Sequence, residues 1–111
     1  MGNSKEKLNE VNETLKNLGR SNPNAMKGFQ KFMNSVKSEG ALSTKMKNII
    51  GVALAVSRQC EYCVPFYVSQ ALESGASKEE IIEATLVAGL LGGGPAIMYA
   101  KRVFDALEDL T

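Results

Sequence analysis

The segment STKMKNIIGVALAVSRQCEYCVPFYVSQALES, residues 43–74, carries the clearest structural pattern in this chain. Ser43 can cap a helix whose apolar residues cover almost its whole circumference in the second half, which predicts a buried helix. The β-branched run IIGVALAV could instead form a strand, but it lacks strict alternation and has no second strand to pair with. Another helix is predicted from Tyr62 to Ser74, where Pro65 falls in the tolerant first turn.

Amphipathic patterns precede this segment. Leu and Val recur at spacings of three and four residues up to Gly19, which predicts a first helix with Lys and Glu on its opposite side. Asn22 followed by Pro23 is typical of a helix start, and the apolar face that follows, rich in Met and Phe, ends at Gly40. We therefore predict two helices before the central segment.

Two further helices are predicted after the central segment. Gly75 suits the end of the fourth helix, and Ser77 with Glu80 can form the capping box of a fifth. The glycines at positions 92–94 should break that helix, and a sixth should follow Pro95. The sequence thus predicts an all-α fold of about six helices.

Composition predicts one globular domain covering residues 1–111. Apolar residues make up 44% of the chain and charged residues 23%, which is typical of a folded protein rather than a disordered one. The longest uncharged stretch, residues 84–100, is shorter than a membrane span requires and contains four glycines and a proline. The first ten residues lack the apolar core of a secretory signal. We therefore expect a cytoplasmic protein with no membrane partner.

Charge is distributed unevenly along the chain. Residues 1–60 contain ten Lys and Arg against four Asp and Glu, whereas residues 61–111 contain three against eight. A basic half could contact nucleic acid, but its lysines are dispersed and match no known nucleic-acid-binding motif. We therefore expect no nucleic-acid partner. The excess of apolar residues in several helices instead favours self-association.

The chain contains no histidine, which removes the usual general base, the usual metal ligand and every Ser-His or Cys-His catalytic pair. Its only two cysteines, Cys60 and Cys63, form one C-x-x-C motif. A closed zinc site requires four ligands, so two cysteines without histidine predict no metal. No cofactor is predicted either, because the three consecutive glycines neither follow a strand nor precede a Lys-Ser/Thr pair.

A redox-active dithiol fits this motif better. Residues three apart at a helix start lie on one face, so that the two sulfurs can form a disulfide. The partial positive charge of the helix N-terminus and the nearby cation Arg58 should lower the pKa of a cysteine thiol and so provide more thiolate for attack. The alternative is that Cys60 and Cys63 are two small buried side chains without chemistry.

The pattern of residues 41–84, ALSTKMKNIIGVALAVSRQCEYCVPFYVSQALESGASKEEIIEA, resembles the carboxymuconolactone decarboxylase superfamily and, within it, the alkylhydroperoxidase D-like branch. In that family a buried helix leads into C-x-x-C at the head of the next helix, and a small-residue turn and a Glu-Glu-Ile helix start follow. The matching residues of that turn and helix start are Gly75, Ala76, Ser77, Glu79, Glu80 and Ile81. The resemblance implies an alkylhydroperoxidase D-like domain that forms a homotrimer or homohexamer.

Peroxidase sites in that family combine a glutamate, two cysteines and a histidine. The corresponding positions in this chain are Asn48, Cys60, Cys63 and Tyr67. The resemblance implies that Cys63 meets the peroxide and that Cys60 is the more accessible resolving partner. Neither Asn48 nor Tyr67 can act as the missing carboxylate or imidazole base. Tyr67 can donate a hydrogen bond to a peroxide oxygen or a thiolate, or it can be a core-facing aromatic residue.

Glu61, within the motif, is the only carboxylate between Glu39 and Glu73. It could accept a proton locally, which would make it part of the site. At a helix N-terminus, however, such a residue is more often a surface residue that complements the positive end of the helix dipole.

The leading functional prediction is a C-x-x-C thiol-disulfide oxidoreductase with peroxidase-like, peroxiredoxin-type antioxidant activity. Its candidate catalytic residues are Cys60, Cys63, Tyr67 and Glu61. The expected partners are a hydroperoxide substrate and a thiol or dithiol electron donor that restores the cysteines. A second hypothesis is a non-catalytic or redox-sensing oligomeric scaffold. A third is a decarboxylase of a small carboxylated lactone, which would not depend on C-x-x-C.

Overall fold

Five α-helices form the part of the chain that the computed structural model describes, residues 3–111. Met1 and Gly2, at the start of the N-terminal segment considered above, lie outside that range. The helices are α1 (Asn3–Ser21), α2 (Pro23–Lys37), α3 (Thr44–Ser57), α4 (Cys63–Glu73) and α5 (Lys78–Leu110). Residues 3–111 contain no β-strand, so the all-α prediction, including a helix rather than a strand for IIGVALAV, is confirmed.

The predicted helix starts carry the caps that the sequence indicates. The side chains of Asn22 and Ser43 accept hydrogen bonds from the backbone N–H three residues further on, at 3.2 and 3.0 Å. Ser77 and Glu80 form a complete capping box, in which each side chain accepts from the other residue's backbone N–H. These caps satisfy donors that the first turn of a helix leaves free, and so fix where α2, α3 and α5 begin.

The prediction of six helices differs from the structure at residues 92–94. The predicted break is present at Gly93, the one residue within α5 that has non-helical backbone angles, but no separate turn divides the two helical limbs that meet there. Gly93 adopts φ 66°, which glycine accepts without steric cost. Pro95 follows in the first turn of the second limb, where no N–H donor is required. The predicted sixth helix is therefore the second limb of α5.

The core lies between α3, α4 and α5, whose buried faces consist mostly of Val, Ala and Ile. α3 packs against both of the other helices, and its Val52 and Val56 side chains are completely buried, as its apolar circumference predicts. Each fully buried side chain of this size stabilises the fold by roughly 1.5–3 kcal/mol. The other large side chains without exposed surface are Val64, Val68, Ile81 and Val103. The C-x-x-C segment therefore connects two helices of the core.

α1 and α2 lie outside this core. α1 packs against α4 and α5, and the backbone N–H of Ser4 donates to the Asp109 carboxylate at 3.1 Å. α2 has no buried residue. Its predicted apolar face, which includes Phe29 and Val36, is about half exposed in the single chain. A face of this kind is available for contact with another molecule.

α5 is the one helix within residues 3–111 that is long and apolar enough to span a membrane when judged by length and composition. The kink at Gly93 interrupts it. Both of its limbs also bury side chains against the other core helices, among them Ile81 and Val103. Only 22% of its most apolar window is buried, however, so much of its apolar surface remains exposed in the single chain.

Candidate redox site

The end of α3 positions the first cysteine. Gln59 has a left-handed backbone conformation, φ 53°, and its N–H donates to the Val56 carbonyl at 3.1 Å. The N–H of Cys60 donates to the Ala55 carbonyl at 3.0 Å. Together these two hydrogen bonds form a Schellman motif. A left-handed conformation costs a non-glycine residue roughly 1–2 kcal/mol, because its Cβ crowds the following carbonyl. The motif directs the chain out of the buried helix at Cys60.

The two cysteines form a disulfide across the turn between α3 and α4. The Cα atoms of Cys60 and Cys63 are 5.1 Å apart, and both residues are partly exposed. Cys63 is the first residue of α4, and its backbone N–H donates to the Cys60 sulfur at 3.2 Å. This donor is one that a helix start leaves free. After reduction, the same N–H and the helix dipole would stabilise a thiolate at Cys60.

The turn brings together groups that are suited to thiol-disulfide chemistry. Both sulfurs are joined in the disulfide. Among residues 3–111, no group of three or more His, Cys, Asp and Glu side chains is arranged to hold a metal ion. The reactive atoms that the structure brings together are therefore the two sulfurs.

Glu61 is held by α1 and α5. Its carboxylate accepts a hydrogen bond from Lys7 at 2.7 Å and lies 3.8 Å from the Arg102 guanidinium. The hydrogen bond from Lys7 and the attraction of the same ammonium hold the pKa of Glu61 below its usual value. Glu61 also precedes the first residue of α4 by two positions. The structure thus places it in an ion-pair network beside the helix rather than within its first turn.

Tyr62, the other residue between the cysteines, also contacts α1. Its hydroxyl donates to the Glu10 carboxylate at 2.7 Å, and the Lys7 ammonium lies 5.4 Å from the centroid of its ring. The hydrogen bond to Glu10 raises the pKa of Tyr62, because only the neutral phenol can donate it. Both residues that separate the cysteines are therefore fastened to α1.

Tyr67 lies one turn after Cys63 on the same side of α4. Its ring covers Gly51 of α3 so closely that a Cβ at Gly51 would lie 2.6 Å from the ring carbon Cε1. The Lys37 ammonium is 4.6 Å from the ring centroid, and the Phe66 ring meets it edge-on at 5.1 Å. Burial lowers the pKa of Lys37. The Tyr67 ring packs against the core, while its hydroxyl has no hydrogen-bond partner within residues 3–111.

The side chain of Asn48, a residue of α3, contacts the end of α4 and lies away from the cysteines. It is 2% exposed, and its amide nitrogen donates to the Ser74 hydroxyl at 3.2 Å and to the Gln70 carbonyl at 3.4 Å. Its Oδ1 atom has no hydrogen-bond partner within the described residues. Gln70 follows Cys63 by seven residues, about 10 Å along a helix. The structure thus places the Asn48 amide at the far end of α4 from the disulfide.

Sequence reasoning identified the cysteines and Glu61 but missed the residues that hold the turn. Lys7 and Glu10 are 54 and 52 residues away from their partners in the chain, and Arg102 belongs to the last helix. No short-range spacing connects residues this far apart. The amphipathic pattern of α1 indicated which side is apolar, but it did not indicate which of its charged residues would face the motif.

The model of the carboxymuconolactone decarboxylase family matches residues 23–106. The chain belongs to this family. The resemblance of residues 41–84 to the carboxymuconolactone decarboxylase superfamily is thereby confirmed, and the match extends to α2 and to most of α5.

Solved structures of family members share the fold. A carboxymuconolactone decarboxylase family protein of Legionella pneumophila has a TM-score of 0.93 at 30% identity, over 98% of this chain and 97% of that one. A Thermotoga maritima family protein, described with a possible involvement in an antioxidative response, has a TM-score of 0.82 at 28% identity, over 95% and 89% of the two chains. An uncharacterised protein of Cupriavidus necator is 41% identical over 107 residues, which cover 94% of this chain and 95% of its own length.

Proposed function

We propose that this member of the carboxymuconolactone decarboxylase family is a thiol-disulfide oxidoreductase that reduces hydroperoxides with electrons from a thiol or dithiol donor. The observation that carries the proposal is the Cys60–Cys63 disulfide at the head of α4, partly exposed and with a helix N–H directed at one sulfur. A partly exposed thiol at a helix start is the usual setting of a reactive cysteine. The possible antioxidative role described for the Thermotoga maritima relative agrees with the reduction of hydroperoxides.

In the proposed cycle the Cys63 thiolate attacks one oxygen of the hydroperoxide, the O–O bond breaks, and an alcohol or water leaves after taking up a proton. Cys63 becomes a sulfenic acid. The Cys60 thiolate then attacks the Cys63 sulfur, the hydroxyl group leaves as water with a second proton, and the disulfide forms. The donor returns two electrons and two protons, which restores both thiols.

The two cysteines have different support for their proposed roles. The N–H that Cys63 donates to the Cys60 sulfur favours a thiolate at Cys60, which a resolving nucleophile requires. The choice of Cys63 as the peroxide-reactive thiol rests on the family resemblance. Tyr67, one turn further along α4, would donate a hydrogen bond to a peroxide oxygen. Its ring is held in place between Gly51 and Lys37.

Glu61 would hold the turn rather than move a proton. Its pairing with Lys7 lowers its pKa, which makes the carboxylate a weaker base near neutral pH. Protons would then be exchanged with water at the partly exposed sulfurs. We therefore expect a slower reaction with peroxide than in relatives that carry the family's glutamate and histidine.

The test is a stopped-flow reaction of the reduced protein with hydrogen peroxide and with cumene hydroperoxide, with free thiols counted before and after. The wild type should lose both thiols about tenfold or more faster than free cysteine does. Cys63→Ser should be inert, whereas Cys60→Ser should stop at a sulfenic acid that dimedone traps. Oxidation no faster than that of free cysteine would overturn the peroxidase proposal.

A redox-sensing or non-catalytic scaffold is the second candidate, and the position of Asn48 favours it. An amide cannot relay a proton, and this one is buried and bonded to the end of α4. A sensor would be oxidised once and change its assembly without turnover. Consumption of hydroperoxide in excess over protein, with a thiol donor present, would exclude it. The decarboxylase candidate predicts an activity on a carboxylated lactone that survives the loss of both cysteines.

We also propose that the protein forms a homotrimer or homohexamer. Leu90 and Leu91, next to the kink in α5, are 81% and 98% exposed, and Met98 is 75% exposed. Exposed apolar side chains grouped in this way are typical of a surface that another subunit covers. Sedimentation velocity should give three or six times the monomer mass for the wild type and a smaller species for Leu91→Glu. A monomeric wild type would contradict the proposal.

A further inference from the structure

A polar cleft of about 450 Å³ opens beside the disulfide turn. Its walls come from the start of α1, from the turn together with the first residues of α4, and from the second limb of α5. Glu61 and Pro65 border it on the side of the disulfide, and its positive charges are Lys7, Lys101 and Arg102. The proposed reaction with peroxide assigns no role to this cleft.

Two of the three cations are paired within the cleft. Lys7 binds Glu61 at 2.7 Å, and Lys101 binds Asp105 at 3.0 Å. Arg102 instead lies 3.8 Å from Glu61, beyond hydrogen-bonding distance. Its guanidinium has no hydrogen-bond acceptor within residues 3–111. The residues that line the cleft thus include three cations and two carboxylates. Arg102 shares the Glu61 carboxylate with Lys7 and lies farther from it, so its N–H donors are the ones that remain available to an anion.

Arg102 is suited to bind an anionic group. Its side chain is 43% exposed, and the Tyr99 ring lies 5.4 Å from the guanidinium carbon, which restricts the movement of the group. A guanidinium presents a rigid fork of N–H donors that matches the paired oxygens of a carboxylate, sulfonate or phosphate. Neither cysteine lines the cleft, but Glu61 belongs to the turn that carries both of them. An anion held at Arg102 would therefore lie beside that turn.

We propose that this cleft binds the anionic group of a small thiol that reduces the disulfide, with Arg102 as the binding residue. The inference rests on the proposed function and adds the chemical class of the electron donor: a low-molecular-weight thiol with a carboxylate, sulfonate or phosphate a few bonds from its sulfur. Such a donor would be held by its charge while its sulfur reaches the disulfide.

The reducing step follows ordinary thiol-disulfide exchange. The donor thiolate attacks one sulfur of the Cys60–Cys63 disulfide, the S–S bond breaks, and the other sulfur leaves as a thiolate that takes a proton from water. A second donor thiolate then attacks the donor sulfur of the mixed disulfide. The second protein thiol is released and takes up a proton, and the two donor molecules leave as their own disulfide, having supplied two electrons.

The test compares the rates at which three thiols reduce the oxidised protein: anionic 2-mercaptoethanesulfonate, neutral 2-mercaptoethanol and cationic cysteamine. In Arg102→Gln, the anionic thiol should react about tenfold more slowly, the loss expected when a charge-assisted hydrogen bond is removed. The rate with the neutral thiol should be unchanged. Arg102→Lys keeps the positive charge but not the paired N–H donors of the guanidinium, and should give an intermediate rate with the anionic thiol.

Arg20→Gln is the matched control, because it removes the same charge from the end of α1, where Arg20 is hydrogen-bonded to Asn17. It should leave all three rates unchanged. An equal loss for all three thiols in Arg102→Gln, or no loss, would overturn the proposal. Reduction that depends on Arg102 without hydroperoxide turnover would contradict the peroxidase function alone. Hydroperoxide turnover with no dependence on Arg102 would contradict the cleft alone.

Discussion

α3 and α4 end with the same backbone motif, but the segments that follow the two helices differ. The left-handed position is occupied by Gln59 after α3, at φ 53°, and by Gly75 after α4, at φ 97°. Both hydrogen bonds of the Schellman motif are present each time, the second donated by Cys60 after α3 and by Ala76 after α4. Cys60 is partly exposed and leads into the disulfide, whereas Ala76 is buried and leads into the cap of α5.

The two regions are also stabilised differently. Glu80, after the second turn, accepts from the backbone N–H of Ser77 in its own cap and from Lys45 at 3.2 Å. Glu61, after the first turn, depends on Lys7 of α1. The structural turn is thus held mainly by neighbours in sequence, while the redox turn is held by a distant helix. The two turns therefore share one backbone geometry, and the residues that follow each turn determine whether the region carries redox chemistry.

The largest expected effect comes from exchanging the residue that follows each turn. Cys60→Ser removes the disulfide and the resolving step, and should strongly slow hydroperoxide turnover with a thiol donor, because the donor must then reduce the Cys63 sulfenic acid directly. Ala76→Ser places a hydroxyl in a buried position, which should lower the free energy of unfolding by about 1–3 kcal/mol and leave turnover unchanged. Turnover assays and urea unfolding measure the two effects. Loss of turnover in folded Ala76→Ser would contradict the separation of the two regions.

Placing a side chain at Gly75, the left-handed position of the second turn, should remove the conformational advantage that glycine has there. Gly75→Gln should lower the free energy of unfolding by roughly 1–2 kcal/mol, because the new Cβ crowds the backbone at φ 97°. Gly28→Gln is the control, since Gly28 lies within α2 with open space around it. It should stabilise the protein slightly. Equal destabilisation by both substitutions in urea unfolding would point to side-chain size rather than backbone conformation.

The reverse substitution, glycine in place of Gln59 at the first turn, should change the free energy of unfolding by a smaller amount and in the opposite direction. Gln59→Gly relieves the left-handed strain but adds flexibility to the unfolded chain, so the free energy of unfolding should rise by only about 0.5–1 kcal/mol. Chemical denaturation of the oxidised protein measures this gain. A decrease would show that the Gln59 side chain stabilises the turn by a contact of its own.

The smallest effect is expected for the ion pair between α1 and the redox turn. Pairing lowers the pKa of Glu61 from its ordinary 4.5, so the stability it contributes is present above that pH and is lost as the pH falls through the folded-state value. Both partners are exposed, and the contribution at neutral pH should therefore be small and sensitive to salt. Urea midpoints of the wild type and Lys7→Met should differ slightly at pH 7 and converge in acid.

Lys5→Met is the control for this pH dependence, because it removes the same charge from the exposed side of α1. Its midpoint should follow that of the wild type across the pH range. A difference between wild type and Lys7→Met that persists in strong acid would mean that Lys7 acts through packing on Tyr62 rather than through the charge of Glu61.

Local signals made the helices predictable. A cap such as Asn22 or Ser43 and the N–H that it accepts lie three residues apart, so both are visible in a short stretch of sequence. Gly75 likewise marks the end of α4. Gln59 gave no such signal, since Gln rarely adopts a left-handed conformation. The break predicted from the three glycines is present, but a single residue, Gly93, makes it, so the predicted fifth and sixth helices are the two limbs of α5.

The candidate site was predictable only where its residues are close in sequence. The spacing of Cys60 and Cys63 at a helix start predicted that their sulfurs can join, and the disulfide is present. The contacts of Glu61 with Lys7 and Arg102 depend on how the first and last helices pack, which no local pattern encodes. The same holds for the charged residues that line the cleft.

The missing side chain at Gly51 makes room for the Tyr67 ring. With no Cβ beneath it, the ring packs against α3, and the Lys37 ammonium lies over the ring. A methyl group at position 51 would overlap the ring and divide it among several rotamers. The rate of any step that uses the phenol would then scale with the fraction of molecules in which the ring is correctly placed. Gly51 would thereby influence the reaction rate through the conformational equilibrium of the Tyr67 ring, without contacting the substrate.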